Sequence, residues 1–194
     1  DKETLTRKES RNLIDKISHA LHHHLSRNEG QAKIAIYLPR NNFFLASIFA
    51  IWQNGHYYIP LNKTWPDGHV EKILENAQPD LVIAEDLKFE KYAKTLVISE
   101  VDTQPLPERT LKSQWGSKSR EAEGLAYVIY TSGSTGEQKG VVISKKSLCT
   151  YIEWVKIAFQ DYKENKALLI TGEMSFDMSL ADISFALAFD VEIR

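Results

Sequence analysis

Short apolar runs alternate with longer amphipathic stretches along this chain, and this alternation limits the folds that it can adopt. The first stretch predicts a helix, because Thr6 and Glu9 have the spacing of a capping box and apolar residues follow at helical intervals. The runs 32–38 and 57–61 then predict buried strands, separated by a helix over 43–53. Strands that alternate with helices favour right-handed parallel crossovers. We therefore predict an α/β fold of layered, mostly parallel sheets flanked by helices.

The alternation continues through the rest of the chain with one break. A helix over 66–77 comes first, followed by strands at 81–84 and 95–98. The segment 99–124 carries prolines and many charges without a sustained period, which indicates a linker and a possible lobe boundary. Beyond it we expect strands at 126–130, 140–143 and 167–170, and helices at 145–159 and 178–188.

Composition and charge exclude several classes of function. Of the residues, 43% are hydrophobic and 26% are charged, which is typical of a folded globular protein. The formal net charge of -2 shows no electrostatic sign of binding to nucleic acid or to an anionic membrane. The most apolar window, 43–52, is too short to span a bilayer. The single cysteine, Cys149, cannot form an internal disulfide, so we expect a reducing, cytoplasmic setting.

Both ends of the sequence suggest a part of a longer polypeptide. The first residue is Asp1 rather than a methionine, and residues 191–194 alternate apolar and charged side chains as a beginning strand does. A strand without neighbours has no partners for its backbone hydrogen bonds. We therefore expect the native polypeptide to continue past Arg194.

A loop rich in glycine and hydroxyl side chains follows the strand predicted at 126–130. From Tyr130 to Gly140, three glycines let the backbone turn its amides toward a ligand, and four Ser and Thr hydroxyls and one lysine supply further donors. Such a loop suits phosphate oxygens, and a solvated loop without a ligand is the alternative. Counting four residues from Gly133 reaches Gln138 instead of a Gly-Lys-Ser/Thr triplet, and no Gly-x-Gly-x-x-Gly is present. The loop is therefore neither a Walker loop nor a Rossmann fingerprint.

The loop closely resembles the phosphate-binding loop of the adenylate-forming superfamily, which includes acyl-CoA synthetases, luciferases and the adenylation domains of nonribosomal peptide synthetases. That signature is Tyr-Thr-Ser-Gly-Ser/Thr-Thr-Gly-x-Pro-Lys-Gly-Val, and residues 130–141 match it except that Gln138 stands where proline is usual. The segment 54–62 resembles the second motif of adenylation domains, although Asn62, and His69 shortly after it, replace the usual aspartate and arginine. The resemblance spans nearly the whole chain but accounts for less than half of a family catalytic domain.

The resemblance implies which residues hold the nucleotide. The loop would surround the pyrophosphate that leaves ATP, and Mg²⁺ would accompany the triphosphate in the full domain. Lys139, the candidate catalytic residue, would either contact the β or γ phosphate or brace the loop by pairing with a carboxylate. The implied ATP- and phosphate-binding residues are Thr131, Ser132, Gly133, Ser134, Thr135, Gly136 and Lys139.

A second motif, residues 175–179, resembles the Phe-Asp-x-Ser motif of amino-acid-activating members, whose aspartate pairs with the substrate ammonium. A carboxylate at the mouth of an apolar pocket selects an amine, because leaving either charge unpaired there is costly. The alternative is that Asp177 only caps the helix predicted to begin at Met178. Asp177, Met178 and Ala181 share one face of that helix, and the resemblance implies that they line the substrate side-chain pocket.

Together the motifs predict the N-terminal part of an amino-acid adenylation domain. Such a ligase would convert an amino acid and ATP into aminoacyl-AMP and load the phosphopantetheine thiol of a carrier protein. An acyl- or aryl-CoA ligase of the same superfamily and a non-catalytic interaction module are the alternatives. The family's magnesium carboxylate, ribose-binding aspartate and C-terminal lysine have no counterparts in these 194 residues, so we expect the chain alone to be inactive.

Three other features have structural interpretations. His19 and His23 lie one helical turn apart, but no third ligand at zinc spacing accompanies them, so a solvated or half-buried helix face is predicted. Cys149 is predicted to be a buried, inert thiol. Tyr127 is predicted to pack in the core.

Overall fold

A computed structural model describes residues 4–26, 30–103, 105, 124–132, 138–161 and 172–189. In these parts of the chain, helices and strands largely alternate, as the sequence predicts. In chain order the elements are α1 (Arg7–His24), β1 (Lys33–Tyr37), α2 (Asn42–Gln53), β2 (Tyr57–Pro60), α3 (Asp67–Ala77), β3 (Leu81–Ala84), β4 (Thr95–Val97), α4 (Ile98–Asp102), β5 (Leu125–Ser132), β6 (Gln138–Ser144), α5 (Lys145–Ala158) and α6 (Met178–Phe189).

The strands form one sheet in the order β4-β3-β1-β2-β5-β6. From β4 to β5 all neighbouring strands run parallel, whereas β6 is antiparallel to β5. The prediction of a mostly parallel α/β sheet flanked by helices is confirmed. Strand β6 runs antiparallel to β5 because only the five residues 133–137 join the two strands, and a parallel crossover needs a longer connection.

The sheet separates two apolar layers. Side chains alternate along β1, so that Ile34 and Ile36 contribute to one layer and Ala35 and Tyr37 to the other. In the sheet order, β2 lies on one side of β1 and β3 lies on the other, so the connections β1–α2–β2 and β2–α3–β3 cross the sheet in opposite directions. Because both crossovers are right-handed, α2 and α3 lie on opposite faces of the sheet. The first layer is shared by α1, α2, α5 and α6, and the second contains α3.

Side-chain caps explain where three of the helices begin. Thr6 accepts a hydrogen bond from the amide of Glu9, and the Glu9 carboxylate accepts one from the Thr6 amide, so the predicted capping box is confirmed. Asn41 and Ser144 each accept a hydrogen bond from a backbone amide in the first turn of α2 and α5. These caps start the helices within one residue or two of the predicted positions.

The sequence analysis does not predict helix α4. It assigns Ile98 to the end of the strand at 95–98 and the residues from 99 onward to the proposed linker. Ile98 and Val101 are buried and lie three residues apart, so a single helical turn places both side chains in the core. Residues 106–123, the strand expected at 167–170 and residues 191–194 lie outside the described residues. The lobe boundary near 99–124 therefore remains a prediction.

Three further predictions concern the exposure of two histidines and the burial of Cys149 and Tyr127, and the structure confirms them. His19 and His23 are exposed on α1, which confirms the solvated helix face. Cys149 and Tyr127 are both buried, as predicted. Among the described helices, none combines the length and the apolar character needed to cross a membrane.

Candidate active site

In open α/β sheets, ligands bind at the edge formed by the carboxyl ends of the parallel strands. At this edge Arg40 follows β1, Asn62 follows β2, and Thr131 lies near the end of β5. The segment leading to α6 lies against the same edge. Arg40 Nη1 donates a hydrogen bond to the carbonyl oxygen of Gly172 over 3.4 Å, and Asn62 Nδ2 donates one to Oε2 of Glu173 over 3.1 Å.

The β5–β6 hairpin carries the segment predicted to bind phosphate. Thr131 is the cross-strand partner of Lys139, and Ser132 is the partner of Gln138. The Thr131 hydroxyl donates a long hydrogen bond of 3.5 Å to the carbonyl oxygen of Lys139, and both residues are exposed. Lys139 has no ion-pair partner within the described part of the chain, and its phosphate and brace roles both remain predictions. The remaining loop residues of the prediction, Gly133, Ser134, Thr135 and Gly136, lie outside the described residues.

Gly140 has a packing role in this hairpin. It lies directly opposite Tyr130 in the ladder. A Cβ atom at this position would lie 2.9 Å from Cγ1 of Val128 and 3.3 Å from Cζ of Tyr130. Both separations are shorter than ordinary van der Waals contact, so a larger residue would displace the Tyr130 ring or the Val128 side chain.

Helix α3 contacts both strands at the base of the loop. On the β5 side, the Tyr130 hydroxyl donates a hydrogen bond to Oδ1 of Asn76 over 2.8 Å. On the β6 side, Nε2 of Gln138 and Nδ1 of His69 lie 3.5 Å apart. The His69 ring also packs edge-on against Trp65, with 4.8 Å between the ring centroids. Two departures from the family signature, Gln138 and His69, therefore contact each other.

The predicted substrate motif lies at the start of α6. The carbonyl oxygen of Asp177 accepts hydrogen bonds from the amides of Leu180 and Ala181, at 2.9 Å and 3.3 Å, which places Asp177 at the N-cap position of the helix. Its carboxylate accepts no hydrogen bond from any described residue, so its side chain makes no capping bond to the described part of α6. Asp177 is exposed, Met178 is 68% exposed and Ala181 is half-buried.

Aromatic side chains lie near the Asp177 carboxylate. Burial raises the pKa of the Tyr127 phenol to about 12, and the nearby Asp177 and Tyr151 add to the shift. The Tyr127 and Tyr58 ring centroids are 5.8 Å apart, and complete burial raises the pKa of Tyr58 well above its usual value. Burial therefore disfavours the charged form of both phenols.

The described residues offer no resident metal site. No group of three His, Cys, Asp or Glu side chains that could hold a metal ion occurs within them. Mg²⁺ commonly keeps several waters and binds through one or two carboxylates together with substrate phosphates.

Sequence reasoning missed the residues that connect the site to the rest of the fold. Asn76 and Glu173 carry no local pattern that distinguishes them from other surface residues. Asn62 and His69 could have been singled out from the sequence, because each replaces the residue that is usual in the family motif. The contact partners of these residues lie 54 to 111 positions away, and only the fold brings them together.

Comparisons with known proteins identify the family. The sequence matches the AMP-binding enzyme family over residues 1–193. The "Dimodular nonribosomal peptide synthase" of Bacillus subtilis is 31% identical over 165 residues, which cover 82% of this chain and 7% of that protein. The "D-alanine--D-alanyl carrier protein ligase" of Lactococcus lactis is 31% identical over 173 residues, which cover 88% of this chain and 34% of that protein.

Solved structures share the fold. The NpsA N-terminal subdomain of Klebsiella oxytoca, solved in complex with 3-hydroxyanthranilyl-AMSN, aligns with a TM-score of 0.75 and 20% identity over 100% of this chain and 47% of that chain. The present chain thus spans less than half the length of each of these three proteins. Because the family match extends over nearly every residue, the chain belongs to the AMP-binding enzyme family and forms part of an adenylate-forming domain.

Proposed function

We propose that the protein carrying this chain activates an amino acid with ATP and loads the product onto a carrier protein. One observation carries this proposal. The base of the phosphate-loop hairpin, at Thr131 and Lys139, and the segment that leads to Asp177 lie along the same carboxyl edge of the sheet. That arrangement supports the binding of a triphosphate and an amine-bearing substrate side by side.

In the first step, a carboxylate oxygen of the amino acid attacks the α-phosphorus of ATP, and the bond from that phosphorus to the bridging oxygen breaks. Pyrophosphate leaves with the electron pair of that bond. The protein forms no covalent bond in this step, so positioning and charge neutralisation dominate catalysis. We assign the hydroxyls and amides of residues 131–136 to the leaving pyrophosphate, with Lys139 as a phosphate contact or a brace. Mg²⁺ enters with ATP in the full domain.

Substrate selection is assigned to Asp177. Its exposed carboxylate, which accepts no hydrogen bond from the described residues, would pair with the substrate ammonium. Met178 and Ala181 follow it on α6 and would line the side-chain pocket.

The second step would be thioester formation. A phosphopantetheine thiolate attacks the carbonyl carbon of the aminoacyl-AMP, and AMP leaves as the C–O bond breaks. The match to a carrier protein ligase and to a peptide synthase supports a carrier protein as the acceptor.

Amino-acid-dependent pyrophosphate exchange tests the proposal. The full-length protein that carries this chain would be assayed with a panel of α- and β-amino acids, and with fatty and aryl acids as controls. We expect exchange with one or a few amino acids and none with the controls. Exchange only with fatty or aryl acids would indicate an acyl- or aryl-CoA ligase. Failure to bind ATP would indicate a non-catalytic module.

A further inference from the structure

We propose that a cavity at the amino edge of the sheet is a second binding site, which takes the phosphate group of a small molecule. The cavity has a volume of about 650 Å³, and His22, His56 and Lys145 are among the residues that line it. All three lie outside the candidate active site, so a failure of the proposed adenylation reaction would leave this second site standing.

The cavity lies where three parallel strands begin. Gln31, His56 and Gly124 line it, and they precede β1, β2 and β5 by one or two residues. Strand β1 has five residues. At about 3.3 Å per residue, the cavity lies roughly 15 Å from the carboxyl edge, where Arg40 and Asn62 are found. A ligand in this cavity would therefore not occupy the ATP site.

Hydrogen bonds within the protein hold the walls of the cavity in place. Gln31 Nε2 donates to the carbonyl oxygens of Gly55 and Leu125 over 2.7 Å and 3.1 Å, and its Oε1 accepts from the Leu125 amide over 2.6 Å. Asn54 Nδ2 donates to the Ser18 hydroxyl over 2.8 Å, which joins the end of α2 to α1. Because the walls are preformed, little conformational entropy would be lost when a ligand binds.

The side chains that line the cavity favour an anion. Lys145 is 7% exposed, and its ammonium donates a hydrogen bond of 3.2 Å to the carbonyl oxygen of Gly55. His56 is half-buried and His22 is exposed, so basic side chains extend from the interior toward solvent. None of the described residues that line the cavity is acidic. An anion bound here would offset part of the cost of burying the ammonium.

His56 supplies a donor of defined geometry. Its Nδ1 accepts a hydrogen bond of 3.1 Å from the Ala32 amide, so in the neutral ring Nε2 carries the proton. Nε2 donates that proton to no residue in the described part of the chain. Burial lowers the pKa of His56, Lys145 and His22 add to the shift, and the exposed Asp80 opposes it. The three basic groups are therefore close enough for their charges to interact, and one anion can contact them together.

The charge and the volume of the cavity fit a phosphorylated small molecule. A phosphate monoester carries nearly two negative charges at neutral pH and three terminal oxygens that accept hydrogen bonds. A carboxylate carries one charge and two oxygens. Sites for small molecules have volumes of about 300–1,000 Å³, so this cavity has room for more than an isolated ion. We therefore expect the rest of the ligand to lie against Leu25, the apolar residue of the lining.

Isothermal titration calorimetry of the full-length protein tests the site. The probes are glycerol 3-phosphate, glucose 6-phosphate and inorganic phosphate, with sodium acetate at matched ionic strength. We expect a dissociation constant of about 1 mM or lower for at least one monoester, and acetate binding at least about tenfold weaker. Lys145→Gln and His56→Asn should each weaken monoester binding about tenfold or more, because each removes a donor to a charged group. The asparagine keeps an acceptor for the Ala32 amide.

Matched control variants separate the cavity from general effects of charge. Lys146→Gln and His23→Gln change exposed neighbours that do not line the cavity, so both should bind the probes as the wild type does. Thermal unfolding identifies any variant that fails to fold. If the buried Lys145 does not tolerate substitution, His22→Gln changes an exposed lining residue and should weaken binding about threefold or more.

The outcomes distinguish this site from the proposed function. Wild-type affinity in the three cavity variants, an equal loss in the controls, acetate binding as tight as phosphate, or no binding of any probe would overturn the site. Inorganic phosphate binding as tightly as the monoesters would support the anion site and overturn a larger ligand. Pyrophosphate exchange by the same proteins should be unchanged in the cavity variants, and its absence from the wild type would overturn the proposed function alone.

Discussion

At the scale of single residues, Asp177 carries the prediction of an amino-acid substrate. In the full-length protein, Asp177→Ala should lower kcat/KM for amino-acid-dependent exchange about 30-fold, roughly 2 kcal/mol, because the ammonium loses its partner. Asp177→Asn keeps the size of the side chain and separates the contribution of the charge. If carboxylate activation is unchanged in both variants, the side chain of Asp177 does not bind the substrate ammonium.

Gly140 gives a second prediction at this scale, because its position is crowded. Gly140→Ala should lower the free energy of unfolding by about 1–3 kcal/mol, since the added methyl overlaps Val128 and Tyr130. Denaturant unfolding of the protein measures the change. Gly68→Ala is the matched control, since its Cβ would meet no atom within 4 Å, and it should leave stability unchanged or slightly raised. Equal effects of the two substitutions would rule out the packing role.

At the scale of elements, a histidine joins the strands β1 and β2 where they begin. His56 Nδ1 accepts a hydrogen bond of 3.1 Å from the backbone amide of Ala32. Burial lowers the pKa of His56, with Lys145 next in effect, while Asp80 opposes the shift and His22 adds to it. The folded pKa thus lies below the unfolded value of about 6.5. The unfolded state therefore binds more protons in this window, and stability falls as pH decreases from about 6.5 through the folded pKa.

We expect His56→Asn to reduce this loss of stability in acid. The asparagine Oδ1 can take the place of Nδ1 as acceptor for the Ala32 amide, and it does not titrate. The measurement is the free energy of unfolding of wild type and variant between about pH 7 and about pH 5. The same acid-induced loss in both proteins would show that the Ala32–His56 contact does not contribute to it.

At the scale of the whole molecule, these 194 residues alone should give no pyrophosphate exchange above background. The chain spans 47% of the NpsA subdomain and 34% of the carrier protein ligase that it matches. The magnesium carboxylate and ribose-binding aspartate implied by the resemblance have no counterparts in it, so ATP would lack part of its site. Exchange by the purified chain, at a rate comparable with the full-length protein, would contradict this expectation.

Local patterns predicted much of this molecule, because they act over a few residues. The capping box at Thr6 and Glu9, the apolar runs of the parallel strands and the helix start at Met178 all follow from spacings of one to four positions. Helix α4 was missed because one short turn with two buried residues, Ile98 and Val101, leaves no extended period. The predictions for the phosphate loop and for Asp177 come from the resemblance to family motifs, because periodicity alone does not indicate them.

The sequence by itself determined the order of elements, the mostly parallel sheet and the family motif, since each is encoded in contiguous residues. The tertiary structure decided which side chains meet. Asn62 with Glu173 and Asn76 with Tyr130 are 111 and 54 positions apart, and nothing in the residues around them indicates a partner. The physical reason is that strand order and crossover direction bring distant segments to one edge of the sheet. Strand order and crossover direction in turn follow from the packing of the whole chain.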